Sequence, residues 1–483
     1  MELALVIDAA LPDPLHRQVY DQLRAAILSG RLQAGYRLPA SRALAKSLGL
    51  SRTTVTQGYD QLISEGYLHT RPGAGTYVCD RLETWLSAEG NGPGQMAATE
   101  IPLSAYGQRV ARSPLRANRG ACKISFRYGH PALELFPTEL WRKLLSNHCR
   151  TGTQWLDYAA DSLGYWPLRQ AVADYLQQSR AVRCTPDQIM ITSGSQQALS
   201  LITQLLVNPS DTIAMEEPGY RGARYVFRAS GANLLPMPLD RDGLMVDELV
   251  RQPTPPRLVY VTPSHQFPTG ALLSLPRRLA LLQWAQQTGA LIVEDDYDSE
   301  YRYGGRPIPS LQGLDNHGSV LYVGTFSKVM FPSIRLGYLV LPASLVEVFG
   351  KAKWFADRQP PTLSQYALAE FIVAGHLERH IRKMRLCYER RRSALVQALY
   401  QYFGDRVEIL GDSAGLHVMA RLPIALSDEA VVARAASVDV EMCSARVQYE
   451  APRNTGEFVF GYTAIDEAQI KTGIRLVAQA LQP

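Results

Sequence analysis

From residue 121 onward, short apolar runs rich in β-formers alternate with helical stretches, and this alternation limits the possible folds more than any other feature. The runs are 188–192, 212–216, 258–261, 291–294, 319–323 and 338–341, with helical patterns such as 196–207 and 275–287 between them. Strand, helix, strand order predicts an α/β domain built on a largely parallel sheet. In such sheets ligands bind beyond the carboxyl ends of the strands. The polar motifs of this region fall at those ends.

The run 319–323 leads into Gly324-Thr325-Phe326-Ser327-Lys328, and Arg335 follows seven residues later. Desolvation near apolar neighbours lowers a lysine pKa and makes the amine nucleophilic, as a Schiff-base lysine requires. Thr325, Ser327 and Arg335 suit a phosphate. A lone lysine at a strand end is more often a surface residue, so the reading depends on its companions. Ser193-Gly194-Ser195-Gln196 opens a helix after a strand, where backbone N–H groups favour an anion. Tyr220 follows the next strand and can stack on a flat ring. Glu294-Asp295-Asp296-Tyr297-Asp298 ends a third. There an aspartate can pair with a protonated ring nitrogen, and Tyr297 can donate to a ring oxygen. A metal held by Asp295, Asp296 and Asp298 is the alternative. The ring reading is preferred because the lysine and phosphate elements fit it and no nucleotide loop accompanies the acids; no metal is expected. Lysine, carboxylate, phosphate cup and aromatic together describe a pyridoxal phosphate (PLP) site.

The first eighty residues follow a different pattern. Apolar residues Leu15, Val19, Leu23, Ile27 and Leu28 mark an amphipathic helix, with Asp13 as its cap and Gly30 as its stop. Ser41 is expected to cap a short helix ending at Gly49, and Ser51 a second, 52–65, ending at Gly66. Two short helices across a tight turn read as a helix-turn-helix. The alternating stretches 67–70 and 75–78 with a turn between them would form a wing. Ser51, Arg52, Thr53 and Thr54 start the second helix, where such side chains reach base edges or phosphates. Arg42 and Arg71 suit phosphates, or Arg71 the minor groove. Between residues 11 and 78 eight Lys/Arg face four Asp/Glu, an excess that fits double-stranded DNA.

At 483 residues two or three domains are expected. The reading is 11–79 for the DNA-binding module, 80–120 for a linker and 121–483 for the large module. A short helix at 82–87 and a flexible polar stretch at 87–95 are expected within the linker. No run of about 18 apolar residues suggests a membrane span, and the N-terminus lacks the basic start of a signal peptide. Six scattered cysteines without a CxxC pair indicate a reducing compartment, hence a cytoplasmic protein. The net charge of +5 permits nucleic-acid binding without requiring it.

Two resemblances join these readings. Leu38-Pro39-Ala40-Ser41-Arg42-x-Leu44-Ala45, Leu50-Ser51-Arg52-x-Thr54-Val55 and Gly66-Tyr67-Leu68 resemble the winged helix-turn-helix of the GntR family. Gly58 departs from it, standing in mid-helix at a cost of about 1 kcal/mol. Gly164-x-x-Pro167-Leu168-Arg169, residues 192–199, Glu217-Pro218-x-Tyr220, Pro268-Thr269-Gly270, residues 294–297 and residues 325–328 with Arg335 resemble fold type I aminotransferases. That resemblance implies Lys328 as the Schiff-base lysine, and Asp295, with Asp296 as the alternative, as pyridinium partner. It implies Tyr297 on the ring hydroxyl, Tyr220 stacking, and Ser195, Gln196, Thr325, Ser327 and Arg335 on phosphate. It also implies a smaller C-terminal α+β subdomain. The combination is similar to the MocR subfamily of bacterial regulators, which implies a domain-swapped homodimer on a DNA operator. The implied function is a PLP-dependent transcription regulator that senses PLP, an amine or an amino acid through a Lys328 aldimine. The alternative is a working aminotransferase with a DNA-binding appendage; weak or half-reaction transamination is the most expected. Two departures stand out. His265-Gln266-Phe267 replaces the usual asparagine, with His265 or Gln266 as substitute, and 457–462 holds no arginine for a substrate carboxylate.

Overall fold

The computed structural model describes residues 3, 5–79, 101–114, 122–150, 152–159, 161–303, 308–411, 413–451 and 455–482. The helix expected at 82–87 and the polar stretch at 87–95 lie outside the described residues. The chain forms two compact units, Met1–Pro102 and Leu103–Pro483.

In the first unit α1 (Leu15–Leu28), α2 (Ser41–Leu48) and α3 (Arg52–Ser64) precede a hairpin of β1 (Leu68–Arg71) and β2 (Gly75–Val78). Val19, Leu23 and Ile27 of α1 pack with Val55, Tyr59 and Leu62 of α3 in one small core. Gly58 stands where those helices meet. A Cβ there would lie 3.2 Å from Val19 Cγ1 and 3.3 Å from the His16 carbonyl, so close approach accounts for a residue that helix propensity disfavours. Ser51 caps α3 as expected, its Oγ accepting from Thr54 N at 3.1 Å. Two other caps differ. Pro14 rather than Asp13 stands in the cap position before α1, where no side chain caps the helix, and Ser41 is the first residue of α2, not its cap. The wing pairs Leu68 with Val78 and Arg71 with Gly75.

The large unit begins with α4 (Ala105–Ala111), inside the stretch read as a linker, and β3 (Ile124–Ser125). Its main sheet contains β4 (Ile189–Thr192), β5 (Thr212–Glu217), β6 (Asn233–Asp240), β7 (Gly243–Leu244), β8 (Leu258–Val261), β9 (Leu291–Asp296), β10 (Val320–Thr325) and β11 (Gly337–Val340). The order is β4-β11-β10-β9-β8-β5-β6-β7. From β10 to β6 every pairing is parallel; β11 is antiparallel to both β10 and β4. The sequence gives no clear sign of β6 because Pro236 and Pro238 interrupt it. The strand tolerates them because β7 pairs only with Leu239 and Asp240, which leaves most of that side of β6 without a ladder.

Helices α5 (Trp166–Arg180), α6 (Ser195–Leu206), α7 (Arg221–Ser230) and α8 (Leu275–Thr288) follow, with their core on both faces of the sheet. Alternation sorts the strand residues: Val293, Leu321 and Val323 join one core, Ile292 and Val320 another. Gly164, at φ 110°, lets its loop touch the sheet; a Cβ would sit 2.7 Å from Ile191 Cβ. The C-terminal part is α+β, as the resemblance implied. There α9 (His376–Phe403) and the helix Glu467–Ala480 accompany a second sheet. Its strands are β12 (Glu408–Leu410), β13 (His417–Arg421), β15 (Cys443–Ser444) and β16 (Glu457–Gly461), while β14 (Val440–Glu441) runs parallel to β3. All six cysteines are free.

Candidate functional site

The strands β4, β5, β8, β9 and β10 are parallel or share one direction through β11, so their carboxyl ends meet along one edge. A cavity of about 260 Å³ opens there. All nine residues expected at the cofactor line it: Ser195, Gln196, Tyr220, Asp295, Tyr297, Thr325, Ser327, Lys328 and Arg335. Strands β9 and β10 run two residues farther than expected, so Asp295 and Thr325 belong to strand ends rather than to the loops after them.

Lys328 Nζ donates to the Gly129 carbonyl at 2.8 Å. A Cβ at Gly129 would lie 2.8 Å from Nζ, so the lysine occupies space that any other residue would take. Burial pushes the Lys328 pKa down, as the sequence argument required, while Asp298 and Asp295 oppose the shift. Asp295 Oδ2 accepts from Tyr260 Oη at 2.6 Å, and its Oδ1 is buried without a partner. Burial raises the Asp295 pKa to about 6. Asp296, one residue on, points to the opposite face. There it meets Arg180 Nε at 2.8 Å and Tyr322 Oη at 2.5 Å, and it does not line the cavity.

The anion-favouring end is equally specific. Gly194, at φ 99°, precedes the first turn of α6. A Cβ there would approach the Arg335 guanidinium to 3.3 Å, and Arg335 Nη2 donates to the Ser193 carbonyl at 2.6 Å. Thr325 Oγ1 accepts from Ser327 N. Gln196 Nε2 donates to Tyr220 Oη at 3.1 Å, and Gly222 leaves room for both side chains.

Neither proposed substitute for the missing asparagine lines the cavity. His265 Nδ1 lies 3.1 Å from both Asp298 Oδ2 and Tyr297 Oη, and Tyr297 also donates to the His265 carbonyl at 3.0 Å. His265 thus holds Tyr297 from behind. Gln266 bonds Glu216, the Pro218 carbonyl and Thr269. The three aspartates of the acidic cluster have separate partners: Asp295 meets Tyr260, Asp296 meets Arg180 and Asp298 meets His265. Among the described residues His265, Asp298 and His417 come within 4.8 Å of one another, and Asp298 already accepts from Leu416 N. Sequence reasoning missed Tyr128, Gly129, Tyr260 and His417 in the cavity wall. Tyr260 looks like any apolar strand residue, and the others are brought in from segments far along the chain.

On the first unit, Arg42, Ser51, Arg52, Thr53 and Arg71 are exposed and Thr54 is half-buried. Ser51 Oγ is occupied by the cap and by Thr54 Oγ1 at 2.8 Å. This leaves Arg52 and Thr53 as the outward groups of the first turn. Arg71 lies over the Tyr77 ring at 4.9 Å, beside the turn at the tip of the wing.

Two family descriptions match. Residues 15–78 match the bacterial regulatory proteins of the gntR family, and 151–452 match aminotransferase class I and II. The chain is 39% identical to the probable rhizopine catabolism regulatory protein MocR of Rhizobium meliloti, covering 99% of this chain and 95% of that protein. It is 29% identical to the pyridoxine biosynthesis transcriptional regulator PdxR of Corynebacterium glutamicum, over 99% of each. Among solved structures, the multiple substrate aminotransferase of Thermococcus profundus matches with a TM-score of 0.72 and 29% identity, over 78% of this chain and 97% of that one.

Proposed function

The chain belongs to the MocR-type branch of the GntR transcriptional regulators, with a class I and II aminotransferase domain, and from that premise we propose that it binds PLP and an amine effector. The observation that carries the reading is the unpartnered Asp295 Oδ1 in the same cavity wall as a desolvated lysine. A buried acceptor without a donor costs on the order of 1–3 kcal/mol, and a protonated ring nitrogen is the donor it lacks. The glycines at 129 and 194 support the fit, since side chains there would collide with Lys328 and Arg335.

In this reading Asp295 faces the pyridinium nitrogen, Tyr297 the ring hydroxyl and Tyr220 the ring. Ser195, Gln196, Thr325, Ser327 and Arg335 hold the phosphate. Bound PLP supplies an aldehyde that condenses with a primary amine, either that of Lys328 or that of an effector. Burial lowers the Lys328 pKa and so favours the neutral amine, while Asp298 and Asp295 favour the proton. Tyr260 keeps Asp295 ionised by donating to Oδ2. His265 fixes the Tyr297 hydroxyl. The charge at Lys328 therefore differs between the engaged and free amine, and such a local change can bias two arrangements of a regulator. Two winged units of a domain-swapped homodimer would read two half-sites, with Arg52 and Thr53 in the major groove. Arg335 is the one arginine in the cavity wall among the described residues, which favours sensing over general amino-acid turnover.

Visible absorbance of the protein with added PLP, and of Lys328→Ala treated alike, tests the reading. The wild type should develop a band that borohydride traps on Lys328, and the variant should show only the free aldehyde. Identical spectra would sink it.

A further inference from the structure

The helix Val346–Asp357 puts Phe349, Lys353 and Asp357 on one face, since each follows the last by four residues. Phe349 belongs to the same core cluster as Ala198, Leu199 and Ile202 of α6. One turn on, Lys353 is also fully buried. One turn farther, Asp357 meets the loop that leads into α6. Its Oδ2 accepts from Ser193 Oγ at 3.2 Å and from Gln197 Nε2 at 2.7 Å, and its Oδ1 accepts from Lys353 Nζ. Gln197 Oε1 in turn accepts from Ser193 N at 2.8 Å. Ser193 is therefore held at three atoms: its N by Gln197, its Oγ by Asp357, and its carbonyl oxygen by Arg335 of the cavity wall. Gly194 comes next, and the cavity-lining Ser195 and Gln196 open α6.

The core does not require this pair. A lysine with 0% exposure loses its hydration, and burial pushes its pKa down while the bond to Asp357 opposes the shift. Neutral side chains of similar volume often pack as well or better in such places. The position of the pair gives it another use. A carboxylate beside the first turn of a helix favours that helix but repels an anion held at the same end. Lys353 cancels this repulsion from behind, since neither Lys353 nor Asp357 lines the cavity. The loop thus gains an acceptor for Ser193 and Gln197, and the positive charge of Arg335 stays uncontested in the cavity wall.

We propose that Lys353 and Asp357 are positioning residues for the phosphate of the bound aldehyde. Asp357 holds the loop 193–197 in its anion-binding shape, and Lys353 cancels the charge that Asp357 would otherwise set against the phosphate. The proposal rests on the PLP reading above and assigns the phosphate selectivity of that site to a pair outside the cavity wall. Disturbing the pair acts on a ligand that carries a phosphate and spares one that lacks it. A pair that served the fold alone would affect both ligands alike.

The test uses the full-length protein, freed of any bound aldehyde with hydroxylamine and dialysed into phosphate-free buffer. PLP and pyridoxal, which carries a hydroxyl where PLP has its phosphate, are each titrated by visible absorbance. Lys353→Met should raise the half-saturating concentration of PLP about tenfold or more, and that of pyridoxal by no more than about twofold. Because that variant strands a buried carboxylate and can lose its fold, two charge-balanced double variants carry the comparison. Lys353→Met with Asp357→Asn keeps an acceptor for the loop and should bind PLP within about threefold of the wild type. Lys353→Met with Asp357→Ala removes the tether and should lose about tenfold for PLP while sparing pyridoxal. Equal changes for PLP and pyridoxal overturn the proposal. Two double variants that bind PLP alike overturn the role of the tether, and a folded Lys353→Met that binds PLP like the wild type overturns the role of the charge. If neither ligand gives a band with the wild type, the reading of the previous subsection fails, and thermal melts of the large unit with inorganic phosphate decide. A wild-type stabilisation that is lost in the double variant with Asp357→Ala then upholds the pair, and no stabilisation overturns it too.

Discussion

Arg52 and Asp295 mark the contrast between the two units. Arg52 is exposed on the first turn of α3, above a small core completed by Val55, Tyr59 and Leu62. Asp295 is 5% exposed, shares one hydrogen bond with Tyr260, and is pushed to a pKa of about 6 by burial. The winged unit keeps the groups proposed to read DNA outside its core, so they can be changed without disturbing the fold. The large unit builds its site from groups that are costly to desolvate, so there binding chemistry and stability are coupled. Arg42 and Arg71 behave like Arg52, and Lys328 behaves like Asp295.

The strongest test of this contrast is Arg180→Ala. It strands the Asp296 carboxylate in a buried site with only Tyr322 as donor, and should destabilise the large unit by about 3–5 kcal/mol in denaturant unfolding. A change below about 1 kcal/mol would mean that buried charges here are not coupled to stability.

Asp295→Asn separates binding from stability. It should weaken PLP binding by at least about tenfold, because the charge facing the ring nitrogen is lost. The sign of the pH effect follows from the raised pKa. Ionising Asp295 costs folded-state stability, so in the protein without PLP this contribution falls as pH rises from the ordinary carboxylate range to about 6. Affinity for PLP should move the other way, weakening as pH drops through about 6. Asn at 295 should flatten both trends. Titrations of absorbance and thermal melts between pH 5 and 8 read the two effects.

Ser51→Ala probes the border between the two kinds of residue, since Ser51 is exposed yet occupied. Loss of the cap should cost about 1 kcal/mol in the melt of the winged unit. Arg52→Ala should leave that melt within about 0.5 kcal/mol of the wild type. It should nevertheless reduce DNA affinity, lowering the salt dependence of binding by about one ion if the contact is to phosphate. A stability loss in Arg52→Ala equal to that in Ser51→Ala would break the distinction.

Local chemistry explains how much was readable in advance. The helix-turn-helix appears in the sequence because its signals are local: Ser51 as cap, Gly49 and Gly66 in the left-handed region, alternating wing strands. The nine cavity residues were also legible, since each follows or ends a strand and parallel strands bring such ends together. Gly58 could be noted in the sequence only as a cost, because propensity measures an isolated helix, whereas here α1 passes within contact of it. His265 and Gln266 misled because their place in the motif says nothing about direction, and both side chains turn away from the cavity.

By itself, the sequence determined the two-part organisation, the fold of each part and the nine residues that meet in the cavity, because these rest on periodicity and short motifs. Which of Asp295 and Asp296 lines the cavity needed the tertiary structure. Neighbours in a strand point to opposite faces, and only the packing shows that one face opens on the cavity beside Lys328 while the other closes on Arg180.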